Sequence, residues 1–173
     1  MKIILLGYMA SGKSTIGRLL VKIFGYKFID LDSFIEKKEE KSISDIFKDK
    51  GEVYFRKVEN LYLKKLLANQ ENCIISLGGG TPCYANNMQL IKEDRNAISF
   101  FLKTSVKEIV NRLIIEKDER PLVSGIDSKD SMTEFVAKHL FERNPFYSKA
   151  DYVLNTDGKA KEKIVEEIVF KLF

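Results

Sequence analysis

Histidine and cysteine are scarce in this sequence, which has one histidine and two cysteines among its 173 residues. His139 follows Phe135 and Val136 in a helical pattern, so we expect it to pack in the core or at the surface rather than to act in catalysis. Cys73 and Cys83 form no C-x-x-C pair, and two isolated cysteines in a chain of this size indicate reduced thiols in a reducing compartment. The sequence shows no cluster of metal ligands, so a metal ion would have to arrive with a bound ligand.

Long hydrophobic runs are also missing, since no apolar stretch approaches the roughly 18 residues of a transmembrane helix. The apolar segment Lys2–Leu6 is too short for a signal peptide. These features predict a cytoplasmic protein with no membrane partner. The net charge of +4 is mild and spread along the chain, which suits an anionic small molecule and gives no reason to expect a nucleic acid. The length predicts one α/β domain over residues 1–173, and we expect a monomer.

The most informative motif is Gly7–Thr15, which reads Gly-Tyr-Met-Ala-Ser-Gly-Lys-Ser-Thr between an apolar run and an amphipathic helical pattern. Strand, glycine-bounded loop and helix in this order are the context in which G-x-x-x-x-G-K-[ST] forms a phosphate-binding loop. The alternative is a chance glycine-rich turn, which the four specified positions and the preceding strand argue against. The motif predicts a nucleotide site formed by Gly7, Ala10, Ser11, Gly12, Lys13, Ser14 and Thr15.

Each part of this loop has a chemical reason. Gly7 and Gly12 allow a tight turn in which successive N–H groups point at phosphate oxygens. A helix that begins near Lys13 adds the positive end of its dipole. Lys13 can bridge the β- and γ-phosphates of a nucleotide, and the Ser14 hydroxyl can bind Mg²⁺.

Five apolar, β-rich runs alternate with helical patterns along the chain. The predicted strands are Lys2–Leu6, Lys27–Leu31, Cys73–Leu77, Ala97–Leu102 and Tyr152–Asn155. The predicted helices are Lys13–Phe24, Ser33–Lys41, Glu52–Ala68, Asn86–Asp94, Ser105–Ile115, Met132–Ser148 and Lys159–Phe173. Strands that helices cover on both faces form a parallel sheet. The segments that follow the strands should then meet at its carboxyl edge, where open α/β sheets bind ligands.

Two carboxylates end the second predicted strand, at Asp30 and Asp32. Because their positions differ by two, we expect both side chains on the same side of the pleat, at the ligand edge. One acid could help to hold Mg²⁺ while the other hydrogen-bonds or deprotonates an acceptor hydroxyl. The alternative is that Asp32 caps the next helix together with Ser33, which would not explain Asp30.

Two irregular segments are also candidates for function. A three-glycine run, Gly78–Gly80, follows the third strand, and such a run indicates close backbone approach to a ligand unless it forms a simple turn. Residues 116–130 are polar and lack apolar periodicity, which is typical of a mobile lid, although a plain surface loop is the alternative. Arg56 and Glu59 fall on one helix face at i,i+3.

In this context the chain resembles the shikimate kinases from Lys2 to about Thr156. The resemblance rests on motifs that are weak singly, except for the first, but specific in this order. They are the phosphate-binding loop, Asp30-Leu-Asp32, Gly51-Glu52 with Phe55-Arg56 and Glu59, Gly78–Gly80, Arg120-Pro-Leu122, and Arg143 with Tyr147. The resemblance implies a three-layer α/β/α sandwich with sheet order 2-3-1-4-5. It also implies transfer of the ATP γ-phosphoryl group to the 3-hydroxyl of shikimate, with Mg²⁺, on the route to chorismate.

The resemblance further implies a role for each matching residue. Arg56 and Arg143 would grip the shikimate carboxylate, Asp32 would bind the ring hydroxyls and the attacking oxygen, and Gly78, Gly79 and Gly80 would contact a ring hydroxyl. The remaining implied roles are an apolar wall of Phe47 and Phe55, a water-mediated Mg²⁺ contact of Asp30, a lid arginine at Arg120, and adenine stacking by Arg112. The substrate-binding segment would span about residues 32–60. Arginine forks suit a carboxylate independently of any family.

Two other functions fit parts of the pattern. A gluconate or nucleoside-monophosphate kinase would use the same loop and lid, but Arg56, Arg143 and Asp32 favour an acid with ring hydroxyls. A GTP-dependent switch would need D-x-x-G, which occurs nowhere, and N-K-x-D, which the segment Ser148–Asp151 matches only weakly.

Overall fold

A computed structural model describes residues 1–115, 123, 125–126 and 128–173 of this chain. Its strands are β1 Lys2–Leu6, β2 Lys27–Asp30, β3 Cys73–Ser76, β4 Ala97–Lys103 and β5 Tyr152–Asn155. Its α-helices are α1 Lys13–Phe24, α2 Leu31–Glu39, α3 Ile43–Ala68, α4 Asn87–Glu93, α5 Val106–Ile115, α6 Lys129–Tyr147 and α7 Lys161–Leu172, with a 3₁₀ turn at Thr81–Cys83. Within the described ranges, no helix has the length and apolar character needed to cross a membrane.

The five strands form one parallel sheet in the order β2-β3-β1-β4-β5, which confirms the predicted order. β1 is central, and its register places Ile4 beside Ile75 of β3 and beside Ser99 of β4. All five residues of β1 are buried, because helices cover both faces of the sheet.

Alternate residues of the strands supply two separate cores, one on each face of the sheet. Ile3 and Leu5 of β1 pack with the apolar faces of α1 and α7. Ile4 and Leu6 pack on the other face, with apolar residues of α2 to α6. The two cores make the α/β/α sandwich that the sequence predicted.

Helix boundaries differ from the prediction at three places. α3 begins at Ile43 rather than Glu52, is capped by Ser42, and has a non-helical residue at Gly51, with φ 78° and ψ 172°. α2 begins at Leu31 rather than Ser33. α6 begins at Lys129, so the last two residues of the predicted lid belong to a helix. The other boundaries agree to within about two residues.

Candidate functional site

A cavity of about 470 Å³ opens at the carboxyl edge of the sheet. The loop after β1 forms one wall, and residues that follow β2 and β3 form another. Its principal lining residues are Met9 to Ile16, Asp30, Asp32, Ser76 to Gly79, Arg112, Thr156, Lys159, Lys161 and Ile164. The cavity therefore lies where an open parallel sheet binds its ligand.

The Lys13 side chain is hydrogen-bonded to the backbone of the phosphate-binding loop. The Lys13 ammonium donates hydrogen bonds to the carbonyl oxygens of Gly7, at 2.9 Å, and Tyr8, at 3.0 Å. α1 begins at Lys13, after Gly12 in a left-handed conformation with φ 93°. The N–H groups of the first turn and the ammonium group therefore converge on one side of the cavity, as a phosphate group requires.

Arg112 of α5 holds the middle of this loop. Ala10 adopts a left-handed φ of 58°, which costs a residue with a side chain about 1 kcal/mol. Its carbonyl oxygen accepts a hydrogen bond of 2.9 Å from Arg112 Nη1, while Glu108 pairs with the rest of the guanidinium. Arg112 thus lies in the cavity wall, bound to the loop, and its adenine contact stays a prediction.

Asp30, not Asp32, caps the helix that follows β2. Its backbone is extended, and its carboxylate accepts a hydrogen bond of 3.2 Å from the N–H of Ser33. Because α2 already begins at Leu31, Asp32 lies in the first helical turn. The expectation of two side chains on one side of a pleat was therefore wrong, as was a capping role for Asp32. Both carboxylates nevertheless line the cavity.

The environment of Asp32 disfavours its charge. Burial, followed by the nearby carboxylates of Asp30 and Glu59, raises the pKa of Asp32 from 3.8 to about 6, although Lys13 and Arg56 act in the opposite direction. The carboxyl group therefore changes protonation state just below neutral pH. A carboxylate with such a pKa can hold a hydroxyl proton better than an ordinary aspartate can.

The glycine run Gly78–Gly80 packs against three charged side chains, one at each glycine. A methyl group would lie 2.6 Å from Asp32 Oδ1 at the first glycine and 3.4 Å from Arg143 Nη1 at the second. At the third it would lie 2.9 Å from both terminal nitrogens of Arg56. The run thus brings together the three side chains that the resemblance assigns to a hydroxylated acid, and the contacts at Gly78 and Gly80 leave no space for a methyl group unless Asp32 or Arg56 shifts.

Arg56 is held on several sides. Its Nη1 donates to the buried Glu59 at 3.0 Å, which confirms the predicted shared helix face, and its other nitrogens pair with Glu52 at 3.3 Å. Glu59 also accepts a hydrogen bond of 2.6 Å from Thr81 Oγ1. The ring of Tyr84 lies 3.8 Å from the Arg56 guanidinium carbon. These contacts fix the plane of the guanidinium group.

Every fourth residue along one face of α6, namely His139, Arg143 and Tyr147, contacts the phosphate-binding loop or the glycine run. Tyr147 donates a hydrogen bond of 2.5 Å to the carbonyl oxygen of Gly79. One turn earlier, the Arg143 guanidinium lies over the ring of Tyr8, at 5.4 Å from its centroid. A further turn earlier, His139 Nδ1 hydrogen-bonds to Tyr8 Oη at 2.8 Å. His139 therefore packs against the phosphate-binding loop, as expected of a structural histidine.

Some predicted residues lie beside the cavity rather than in its wall. Phe47 and Phe55 stack with ring centroids 4.7 Å apart, and the Phe55 ring lies 5.1 Å from the Arg56 guanidinium carbon. Among the described residues, the cavity lining does not include Gly7, Gly80, Arg56, Arg143, Phe47 or Phe55. Arg120, together with most of the predicted lid, lies outside the described residues.

The sequence reasoning did not select several polar neighbours of the site. Tyr8 occupies an unspecified position of the loop motif, Tyr84 follows the glycine run, and Lys159 lies after β5. The usable signal for Tyr8 was a large aromatic residue inside a phosphate-binding loop. Nothing in the sequence pattern distinguished Tyr84 or Lys159 from surface residues.

The oxygen ligands in the cavity fit a magnesium ion. Ser14 carries a hydroxyl at the start of α1, and Asp30 and Asp32 bring carboxylates to the same cavity. In the part of the chain that the structure describes, no group of three or more histidine, cysteine or acidic residues could hold a metal alone. This donor set suits Mg²⁺, which proteins bind through one or two carboxylates together with substrate phosphates and water.

Known proteins share both the sequence and the fold. The family model described as shikimate kinase matches residues 9–173. A curated shikimate kinase of Flavobacterium psychrophilum is 48% identical over 172 residues, which cover 99% of each chain. The crystal structure of shikimate kinase from Bacteroides thetaiotaomicron matches with a TM-score of 0.91 and 33% identity over 99% of this chain and 98% of that one. Shikimate kinase from Acinetobacter baumannii in complex with shikimate matches with a TM-score of 0.86 and 30% identity over 99% and 92%. The chain belongs to the shikimate kinase family.

Proposed function

We propose that this protein is an ATP-dependent shikimate kinase, which transfers the γ-phosphoryl group of ATP to the 3-hydroxyl of shikimate. The products are shikimate 3-phosphate and ADP, on the route to chorismate and the aromatic amino acids. The observation that carries the proposal is the junction of two half-sites. The phosphate-binding loop lies beside Gly78–Gly80, around which Asp32, Arg56 and Arg143 meet.

The nucleotide half of the site binds the phosphates of ATP. The loop N–H groups and the first turn of α1 hold the β-phosphate. When ATP binds, the Lys13 ammonium replaces its hydrogen bonds to loop carbonyl oxygens with contacts to β- and γ-phosphate oxygens. Mg²⁺ would be held by Ser14 and, through water, by Asp30. When bound, it neutralises charge on the β- and γ-phosphates. Arg112 lines the cavity beside the loop, and we propose that it stacks on adenine.

The acceptor half of the site binds an acid with hydroxyl groups. Arg56 has five N–H groups, of which contacts within the described residues use three, so two remain for a carboxylate. Arg143 brings a second guanidinium from α6 to the glycine run. Two guanidinium groups recognise one carboxylate strongly. The Gly78–Gly80 backbone would contact a ring hydroxyl, and Phe47 and Phe55 would form the apolar wall.

The chemistry is a direct in-line transfer, which is supported by the absence of a nucleophilic histidine or reactive cysteine from this junction among the described residues. Burial raises the pKa of the Cys83 thiol to about 11, which keeps that thiol protonated. Asp32 orients the 3-hydroxyl, and it accepts the hydroxyl proton as the new O–P bond forms and the bond to ADP breaks. We propose that Arg120 from the lid adds positive charge at the γ-phosphoryl group.

An ADP-release assay with a panel of acceptors tests this function. We expect turnover with Mg·ATP and shikimate that exceeds turnover with gluconate, nucleoside monophosphates or no acceptor by at least a hundredfold. Phosphorus NMR of the product should show one phosphomonoester at the 3-position. Lys13→Ala is the negative control, since it removes the ammonium group from the phosphate-binding loop. Equal turnover with gluconate, or with no acceptor, would contradict the proposal.

We further propose that the enzyme acts as a monomer in the cytoplasm, with ATP and shikimate as its only partners. Cys73 and Cys83 are both free thiols, which suits a reducing compartment. Light scattering during gel filtration should give the mass of one chain, 19.9 kDa. The mass of a dimer at micromolar concentration would contradict the proposed monomeric state.

A further inference from the structure

Tyr8 is a large aromatic residue inside the phosphate-binding loop, yet its ring does not face the cavity. Its side chain is 1% exposed, and Tyr8 is not a lining residue of the cavity. Its backbone carbonyl accepts hydrogen bonds from Lys13 Nζ and from the N–H of Ser11. The backbone of Tyr8 thus belongs to the nucleotide half of the site, while its ring reaches α6.

The Tyr8 side chain makes two contacts with α6, one through its hydroxyl and one through the face of its ring. Its hydroxyl pairs with His139 Nδ1 at 2.8 Å, and the His139 ring packs edge-on against Phe135 with centroids 4.3 Å apart. Burial raises the pKa of Tyr8 to about 12, against the opposing effect of Arg143, so the hydroxyl stays neutral. The face of the ring lies under the Arg143 guanidinium at 5.4 Å, which is within the range of a cation–π contact.

The two arginines proposed to bind the carboxylate, Arg56 and Arg143, have different neighbours. Arg56 pairs with two carboxylates, Glu59 and Glu52. Among the described residues Arg143 has no ion pair with a carboxylate, and its neighbours are the Tyr8 ring, the Tyr147 hydroxyl and Gly79. An aromatic ring can orient a guanidinium group without neutralising it. Within the described part of the chain, no carboxylate therefore offsets the charge of Arg143 before an anionic substrate binds.

We infer that Tyr8 is a positioning residue, which holds the Arg143 guanidinium in place for the substrate carboxylate and thereby links the acceptor half of the site to the phosphate-binding loop. The inference rests on the proposed function, because the carboxylate belongs to shikimate. It assigns a side chain of the nucleotide loop to acceptor recognition. Substitutions of the Tyr8 ring should therefore affect the shikimate KM and leave the ATP KM nearly unchanged.

Two substitutions separate the ring from the hydroxyl. Tyr8→Phe keeps the ring under Arg143, and we expect the shikimate KM to rise less than threefold. Tyr8→Leu removes the ring, and we expect a rise of about fivefold to twentyfold, with the ATP KM within twofold of the parent value. Tyr62→Phe and Tyr62→Leu are matched controls, since Tyr62 is a buried tyrosine whose hydroxyl binds Glu39. Neither control should change either KM by more than twofold.

An isosteric series covers the case in which Tyr8→Leu does not fold. Phenylalanine with one, two or three ring fluorines at position 8 keeps the shape and weakens the attraction of the ring for a cation in steps. The shikimate KM should increase with each fluorine, while the melting temperature and the ADP affinity stay constant. A flat series would overturn the inference.

The Arg143→Leu background completes the test. Because Tyr8 acts through Arg143, Tyr8→Leu should cause no further rise of the shikimate KM once Arg143 is absent. The same fold-increase in both backgrounds would overturn the inference, as would a rise in the ATP KM alone. If the unmodified chain does not phosphorylate shikimate, the proposed function fails and the inference with it. If the unmodified chain is active and the Tyr8 variants match it, only the inference fails.

Discussion

At the residue scale, we propose that Arg56 contributes most to the choice of the anion that this site accepts. Glu59, Glu52 and the Tyr84 ring fix its guanidinium plane, so the two remaining N–H groups point in a set direction. A planar fork held in this way matches the two oxygens of a carboxylate. A lysine ammonium at the same position would keep the charge and lose the geometry.

Arg56→Lys should therefore raise the shikimate KM by about tenfold to a hundredfold, or roughly 1.5–3 kcal/mol, and leave ATP binding nearly unchanged. Steady-state kinetics with each substrate varied in turn measures both constants. Arg18→Lys on the exposed face of α1 is the matched control and should behave as the parent. A higher ATP KM with an unchanged shikimate KM would show that Arg56 binds the nucleotide instead of shikimate.

Asp32 should set the acid limb of the pH–rate profile. With its pKa raised to about 6, it is protonated and unable to accept the hydroxyl proton below that pH, so kcat/KM for shikimate should rise with pH through about 6. Asp32→Asn should remove this limb and lower kcat about a hundredfold. Asp49→Asn, at an exposed position, should retain the limb. A limb that persists in Asp32→Asn would assign the titration to another group.

At the scale of elements, the turn after β3 and the contact between α1 and β2 use glycine for different purposes. A methyl group at Gly78 or Gly80 would meet the flexible ends of Asp32 or Arg56. A methyl group at Gly17 of α1 would lie 2.2 Å from the Phe28 ring of β2, which packs against the core. The first kind of contact disturbs the site, and the second disturbs the packing of a helix on the sheet.

We therefore expect opposite outcomes for alanine at these glycines. Gly78→Ala should lower kcat at least tenfold with little change in melting temperature, because Asp32 would be displaced. Gly17→Ala should lower the melting temperature by several degrees, since overpacking costs about 1–3 kcal/mol, with kcat of the folded fraction unchanged. Thermal melts and kinetics on the same preparations check both. A Gly78→Ala protein with parent activity would exclude close packing of the turn against Asp32.

Elements with strong apolar periodicity were predictable from the sequence, and those without it were not. The five strands followed from buried runs separated by amphipathic helices, whereas their order followed from the resemblance to the shikimate kinases. The first part of α3 was missed because its residues before Gly51 are mostly exposed, with only Ile46 buried. Site residues inside motifs were predictable as well. The Tyr8–His139 pair joins residues 131 positions apart, and no local pattern encodes such a contact.

For the whole molecule, the site concentrates like charges at the expense of stability. Burial has the largest effect on the pKa of Asp32, and the nearby carboxylates of Asp30 and Glu59 raise it further. A carboxyl group whose pKa is higher in the folded state than in the unfolded state favours folding only while it is protonated. Stability should therefore fall as the pH rises from about 4 through about 6.

Removal of this charge should stabilise the protein at neutral and alkaline pH. A shift from 3.8 to about 6 corresponds to roughly 2–3 kcal/mol, so Asp32→Asn should raise the free energy of unfolding by up to that amount above pH 6. The gain should shrink between pH 6 and pH 4 and vanish below the pKa of the unfolded chain, where aspartate is neutral in both states. Urea unfolding at pH 8 and at pH 4 measures the difference.

Asp151→Asn is a control of opposite sign. Burial opposes the charge of Asp151, but hydrogen bonds from Ser99 and the nearby Lys92 outweigh it and hold the pKa of Asp151 below its usual value. Its charge therefore stabilises the fold above the pKa of the unfolded chain, and Asp151→Asn should destabilise the protein at pH 8. If Asp32→Asn also destabilises the protein at pH 8, the ionised Asp32 contributes favourable contacts that exceed its burial cost. If it stabilises the protein and lowers kcat about a hundredfold, the fold retains an unfavourable buried charge because phosphoryl transfer requires it.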